Sequence, residues 1–83
     1  MQVQVANGPG NPKDWVGLYT AAGPDLYEIR LKYLNDRKMP PRNGRRSAIV
    51  TFRMPDTPGT YNFRFFRAGT YDKLATSQVV TVQ

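Results

Sequence analysis

Thr57-Pro58-Gly59-Thr60-Tyr61-Asn62-Phe63-Arg64-Phe65 carries the clearest structural signal in the chain. A Pro-Gly turn feeds a Tyr, and the residues that follow alternate between two faces. Tyr61, Phe63 and Phe65 share one face, and Asn62, Arg64 and Phe66 share the other. That period of two is the mark of a half-buried strand, which the pattern predicts to run to about Arg67. Working outward, the same period recurs. Ala48, Val50, Phe52 and Met54 alternate with Ile49, Thr51 and Arg53, up to the break at Pro55. Tyr27, Ile29, Leu31 and Tyr33 alternate with Glu28, Arg30 and Lys32. A helix competes over residues 26–34, but strict alternation over seven residues favours strand. Asp14 to Thr20 reads as another strand, rich in aromatic and β-branched residues. Val3 and Val5 alternate with Gln2 and Gln4, and Val80 and Val82 belong to a last strand over roughly 76–83.

Between these runs lie turn signals. Asn7-Gly8-Pro9-Gly10-Asn11-Pro12 forbids both helix and ladder, Gly23-Pro24 reverses the chain, and Ala68-Gly69-Thr70 is a short turn. Short strands separated by turns, with no helical segment, predict an all-β, immunoglobulin-like antiparallel β-sandwich of about six or seven strands, a single domain over residues 1–83. In such sandwiches a Tyr near the start of one strand bonds its hydroxyl back to the corner backbone, two residues before a bridging cysteine. Tyr61 fits that place and Phe63 stands at the cysteine position, so packing must replace the bridge.

Composition narrows the function. A domain of 83 residues buries only about 60–65% of its unfolded surface, and ten aromatics must anchor its core because it contains no cysteine. Trp15, Tyr19, Tyr61, Phe63, Phe65, Phe52 and Val50 are the expected core, with the valines near both termini. A Trp on the second strand is expected at the core centre, although a sugar-binding module would expose it as a stacking platform. The absence of His removes the commonest general base and metal ligand. Asp14, Asp25, Asp36, Asp56 and Asp72 fall at turns or strand ends, where Asp caps local backbone, and Glu28 lies on a strand. No calcium-loop spacing, no activated nucleophile and no phosphate loop is present, so neither catalysis nor a cofactor is expected. No apolar run reaches the roughly 18 residues of a membrane span, and residues 1–5 do not form a signal peptide.

Twelve Lys and Arg against six Asp and Glu give a net charge of +6, and eight of the twelve are Arg. That excess favours acidic partners. Arg37, Lys38, Arg42, Arg45 and Arg46 crowd into the loop 35–46, where they could neutralise several phosphates of a nucleic acid or another acidic surface. The competing reading is a solvated loop, more mobile than the strands, whose charge keeps the domain soluble. Arg30, Lys32, Arg53 and Arg64 are expected to point outward from their strands. On adjacent strands they would form a second cationic patch beside Phe66, or simply protect the sheet from association.

Three blocks carry a resemblance: residues 7–19, Pro58-Gly59-Thr60-Tyr61-Asn62-Phe63-Arg64, and Leu74-Ala75-Thr76-Ser77. Together they resemble bacterial immunoglobulin-like accessory modules of exported multidomain proteins, often found beside hydrolase domains. Pro12-Lys13-Asp14-Trp15-Val16-Gly17 is also similar to the SKICH domain of eukaryotic phosphoinositide phosphatases and autophagy receptors. The resemblance implies a non-catalytic β-sandwich used for targeting or association, in an extracellular or periplasmic setting. Any export signal would then belong to a longer precursor. Such modules usually carry a strand before the Val3-Val5 one, so the chain is expected to lack its first strand. Gln2 and Gln4 would then line an unguarded sheet edge, open to self-association or to a strand from a neighbouring segment.

Overall fold

The computed structural model describes residues 1–83 and contains seven strands. They are β1 (Gln2–Val5), β2 (Trp15–Thr20), β3 (Arg30–Tyr33), β4 (Ala48–Thr51), β5 (Gly59–Phe66), β6 (Lys73–Thr76) and β7 (Val80–Val82). All pairings are antiparallel. β1 and β4 form one small sheet, and the other runs β3-β2-β5-β6 with β7 also on β5. Tyr61 pairs with Thr20 of β2 and with Val80 of β7, so β7 shares the edge of β5 that β6 occupies. β6 and β7 are thus one interrupted last strand. Ser77 bridges the interruption: its amide donates to the Phe63 carbonyl and its hydroxyl accepts from the Phe63 amide, each at 2.8 Å. A two-stranded sheet facing a sheet with this strand order is an immunoglobulin-like β-sandwich.

The alternation read from the sequence builds the core. Val16, Leu18, Tyr61, Phe63 and Phe65 from the large sheet meet Val5, Val50 and Phe52 from the small one, with Leu34 closing the side. Phe63 sits where the expected bridge would be, and its ring lies 5.1 Å from that of Phe52 across the layers. Packing does replace the disulfide. Tyr61 donates its hydroxyl to the Thr57 carbonyl at 2.7 Å, the corner bond anticipated from the Pro-Gly-Thr-Tyr run.

Several expectations need correction. Trp15 is buried, but it lies on the opposite face of β2 from Val16 and Leu18, outside the layer interface. It stacks on Phe66 at 4.4 Å, with Tyr71 edge-on at 5.5 Å and Tyr19 in the same cluster. The third strand is shorter than its alternation suggested, because only Arg30–Tyr33 pairs with β2 in register. Leu26, Tyr27 and Ile29 are exposed instead of facing a core. The preceding chain is held as a turn: the Tyr27 amide donates to the Pro24 carbonyl, and Tyr19 donates its hydroxyl to the Asp25 carbonyl. β6 was not visible in the sequence, since Lys73-Leu74-Ala75-Thr76 has all four residues exposed and offers no inward face.

Candidate functional site

The molecule offers two candidate sites: the basic residues and the edge of the small sheet. The basic set does not form one surface. Arg64, expected to point outward, is buried against the aromatic cluster. Its guanidinium lies 4.3 Å from the centre of the Tyr19 ring and pairs with Asp25 at 2.8 Å. It also donates to Asn62 Oδ1 and to the carbonyls of Thr20 and Ala21. All three guanidinium nitrogens donate inside the fold, so Arg64 is a strut for the 20–25 turn. Burial pushes the Tyr19 phenol far above its ordinary range, with the carboxylates of Glu28 and Asp25 adding to the shift.

Arg30 and Lys32 pair in register with Leu18 and Val16, so they lie on the inner side of β3, beyond the edge of the small sheet. This is the reverse of the outward face they were expected to share with Arg64. Lys32 reaches 5.9 Å from the Phe52 ring centre and forms an ion pair with Asp36 at 3.1 Å. Arg30 and Lys38 line one shallow depression with Glu28 and Tyr33. The second cationic patch expected from the sequence is therefore split between two faces.

The loop 35–46 is tied down at both ends. Tyr33 N–H donates to the Arg37 carbonyl and Asp36 N–H to the Tyr33 carbonyl. Asn35 accepts from the Arg37 amide and donates to the Met39 carbonyl. At the far end the Gly8 amide donates to the Arg46 carbonyl at 2.8 Å, and Arg45 reaches the Leu34 carbonyl. Gly44 packs against the Asn7–Pro12 loop so closely that a Cβ there would overlap the Gly10 carbonyl oxygen. Arg37, Lys38, Arg42, Arg45 and Arg46 form no ion pair.

The acidic residues do structural work. Asp14 is fully buried and accepts from the amides of Asn11 and Ala68, at 2.9 and 2.8 Å. With Lys13 O accepting from Gly69 N–H and Trp15 Nε1 donating to Thr70 O, it stitches the 67–72 turn to the start of β2. Asp36 accepts from the Thr51 amide at 2.8 Å, and that bond, with Lys32 beside it, holds its carboxyl below the usual range. Glu28 accepts from the Tyr71 hydroxyl, which raises the Tyr71 phenol.

The small sheet has two contrasting edges. Met1 and Phe52 exchange both backbone bonds, so in this antiparallel ladder Val3–Val50 and Val5–Ala48 are also hydrogen-bonded pairs. The amides of Gln2 and Gln4 must then point away from β4, as must Thr51 and Ile49 on the other side. On the β4 edge Asp36 caps Thr51. On the β1 edge no partner meets Gln2 or Gln4. Beside that edge runs an open groove of about 230 Å³, lined by Val3, Val5, Val16, Phe65, Ala75 and Ser77. The expectation of an unguarded edge beside Val3 and Val5 drew attention to β1. Its neighbour across the groove is β6, which sequence patterning missed.

The structure has no helix long and apolar enough to cross a membrane. Comparison with protein families, with curated proteins and with solved structures finds no significant match.

Proposed function

We propose that this domain is a non-catalytic immunoglobulin-like accessory module that associates with other protein through its β1 edge, within a larger exported bacterial protein or assembly. The observation that carries the reading is the unpaired outward backbone of Gln2 and Gln4 above an apolar groove. An uncapped edge next to exposed apolar surface is a template for strand pairing. The use of Asp14, Asp25 and Asp36 to hold backbone and arginine supports a scaffold role for the carboxylates. The exported setting rests on the resemblance of residues 7–19, 58–64 and 74–77 to bacterial immunoglobulin-like accessory modules. Burial of Trp15 counts against the sugar-platform alternative, because its ring faces Phe66 and Tyr71.

The test compares backbone amide exchange in the isolated domain with exchange in the intact protein purified from its source. Slower exchange at Gln2 and Gln4 in the intact protein is the expected result. Equal exchange in both, together with a strict monomer across all concentrations, would remove the association reading.

A second reading keeps the basic loop as an anion-binding surface, on the observation that none of its five cations is paired with a carboxylate. Binding of a polyanion through Arg37, Lys38, Arg42, Arg45 and Arg46 should weaken steeply between low and moderate salt. Binding that ignores salt would point away from it.

A further inference from the structure

The two sheets differ in width, and the difference leaves a slot. The small sheet is two strands wide, β1-β4, while the large sheet spans β3-β2-β5-β6. At one side β4 lies towards β3, as the Lys32–Phe52 and Asp36–Thr51 contacts show. At the other side β1 shares the groove with Phe65 of β5 and Ala75 of β6. The layer above β6 is missing its strand. Val5 is buried and Val3 half-buried along this slot, and both point to the interior, whereas Gln2 and Gln4 face solvent.

We propose that the slot between β1 and β6 receives one extended segment of a partner protein, alternating in small apolar residues and flanked by acidic ones. The segment adds to β1 as the third strand of the small sheet. This deepens the association reading, and rests on it, by naming the occupant. The outward N–H and C=O groups of Gln2 and Gln4 supply the ladder, and alternate side chains of the segment fall beside Val3 and Val5 over Phe65 and Ala75. A single strand fills the space. A second copy pairing its own β1 there would bring its β6 onto β5 of the first, because β6 extends beneath the slot. Charge points the same way. Only four of the twelve cations are in ion pairs, and each copy carries +6, so copies repel one another while acidic flanks are drawn in.

A nine-residue peptide, acetyl-Glu-Asp-Val-Thr-Val-Thr-Val-Asp-Glu-amide, tests the proposal against the isolated domain by NMR titration. The expected result is saturable binding, with amide shifts and slowed exchange concentrated at Gln2, Gln4 and residues 75–77. Gln4→Pro removes only an outward N–H and spares the β1–β4 ladder, so it should cost about tenfold in affinity with the fold intact. If that variant unfolds, exchange in the unaltered domain decides: slowing at Gln2 and Gln4 without change at Val3 and Val5 is required. A control peptide with Ser in place of each Val should not bind. Any of three outcomes overturns the proposal: no binding below about 1 mM, shifts confined to residues 35–46, or concentration-dependent dimers in the absence of peptide. Protected Gln2 and Gln4 amides in the intact protein, with no peptide binding, would discard this occupant and leave the association reading standing.

Discussion

The two faces of the large sheet each bury three aromatic side chains, by different means. On the inner face Val16, Leu18, Tyr61, Phe63 and Phe65 are covered by a second sheet, with the Tyr61 corner bond to Thr57 the one side-chain hydrogen bond among them. On the outer face Trp15, Tyr19 and Phe66 have no sheet above them. They are covered by the turns around residues 21–29 and 67–72, and those turns are fixed by polar groups: Arg64 to Asp25, Asp14 to Ala68, Tyr71 to Glu28. A layer of regular structure satisfies its own backbone, so it can lie on an apolar face without further help. A turn cannot, and each must be pinned by side-chain hydrogen bonds before it can shield an aromatic ring. The inner face should therefore respond mainly to changes of volume, and the outer face to changes of charge and hydrogen bonding.

Tyr61→Ala is the strongest test of the inner face. It removes a core ring and the corner bond to Thr57, and should destabilise by roughly 3–5 kcal/mol. Against a total stability of about 5–8 kcal/mol, such a loss approaches unfolding. Urea denaturation measures it, and Tyr61→Phe, which keeps the ring, should cost only about 1 kcal/mol. Similar losses for the two variants would show that the corner bond, not the packing, dominates.

Asp14→Ala is the corresponding test of the outer face. It removes the buried acceptor shared by the Asn11 and Ala68 amides, for an expected loss of about 2–4 kcal/mol. Arg64→Ala should cost about 2–3 kcal/mol, through lost stacking on Tyr19 and freed carbonyls at Thr20 and Ala21. Arg64→Met separates packing from polar pinning. If Met restores most of the stability lost in Ala, the outer face is held by volume after all and the contrast between the faces collapses.

How much of this was legible depends on what alternation can encode. A period of two identifies a strand and assigns its residues to two faces, and it located β1, β4 and β5 within a few residues, while aromatic and β-branched content located β2. It cannot say which face meets the second sheet. Trp15 looked like a centre-of-core residue because it is large, yet parity places it opposite Val16 and Leu18. Arg64 looked solvated because it is charged, and its burial depends on Asp25, a residue 39 positions away that no local pattern connects to it. β6 was missed because an exposed edge strand has no hydrophobic signature, and the 26–29 run was over-read because apolar alternation there is not used for packing. The tyrosine corner was legible since its bond spans only four residues. At the candidate site Gln2 and Gln4 could be flagged as an unguarded edge, but the groove beside them required the position of β6.

The smallest expected effect concerns the guarded edge of the small sheet. Asp36 is depressed by its bond from the Thr51 amide and, secondarily, by Lys32. Its folded-state pKa lies below the unfolded value of about 3.9. The sign follows directly: the stabilisation is present in full above the unfolded pKa and is lost as pH falls through the folded one. Because the Lys32–Asp36 pair is solvent-exposed and screened, the contribution should stay below about 1 kcal/mol. The Thr51 amide shift, followed by NMR from pH 6 to pH 2, should titrate with a midpoint below the ordinary aspartate range, while Gln2 and Gln4 show no such transition. Asp36→Asn should abolish the transition at Thr51 and keep the fold. A Thr51 amide that does not titrate, or that titrates in step with Gln2 and Gln4, would erase the difference between the two edges and with it the reason to single out β1.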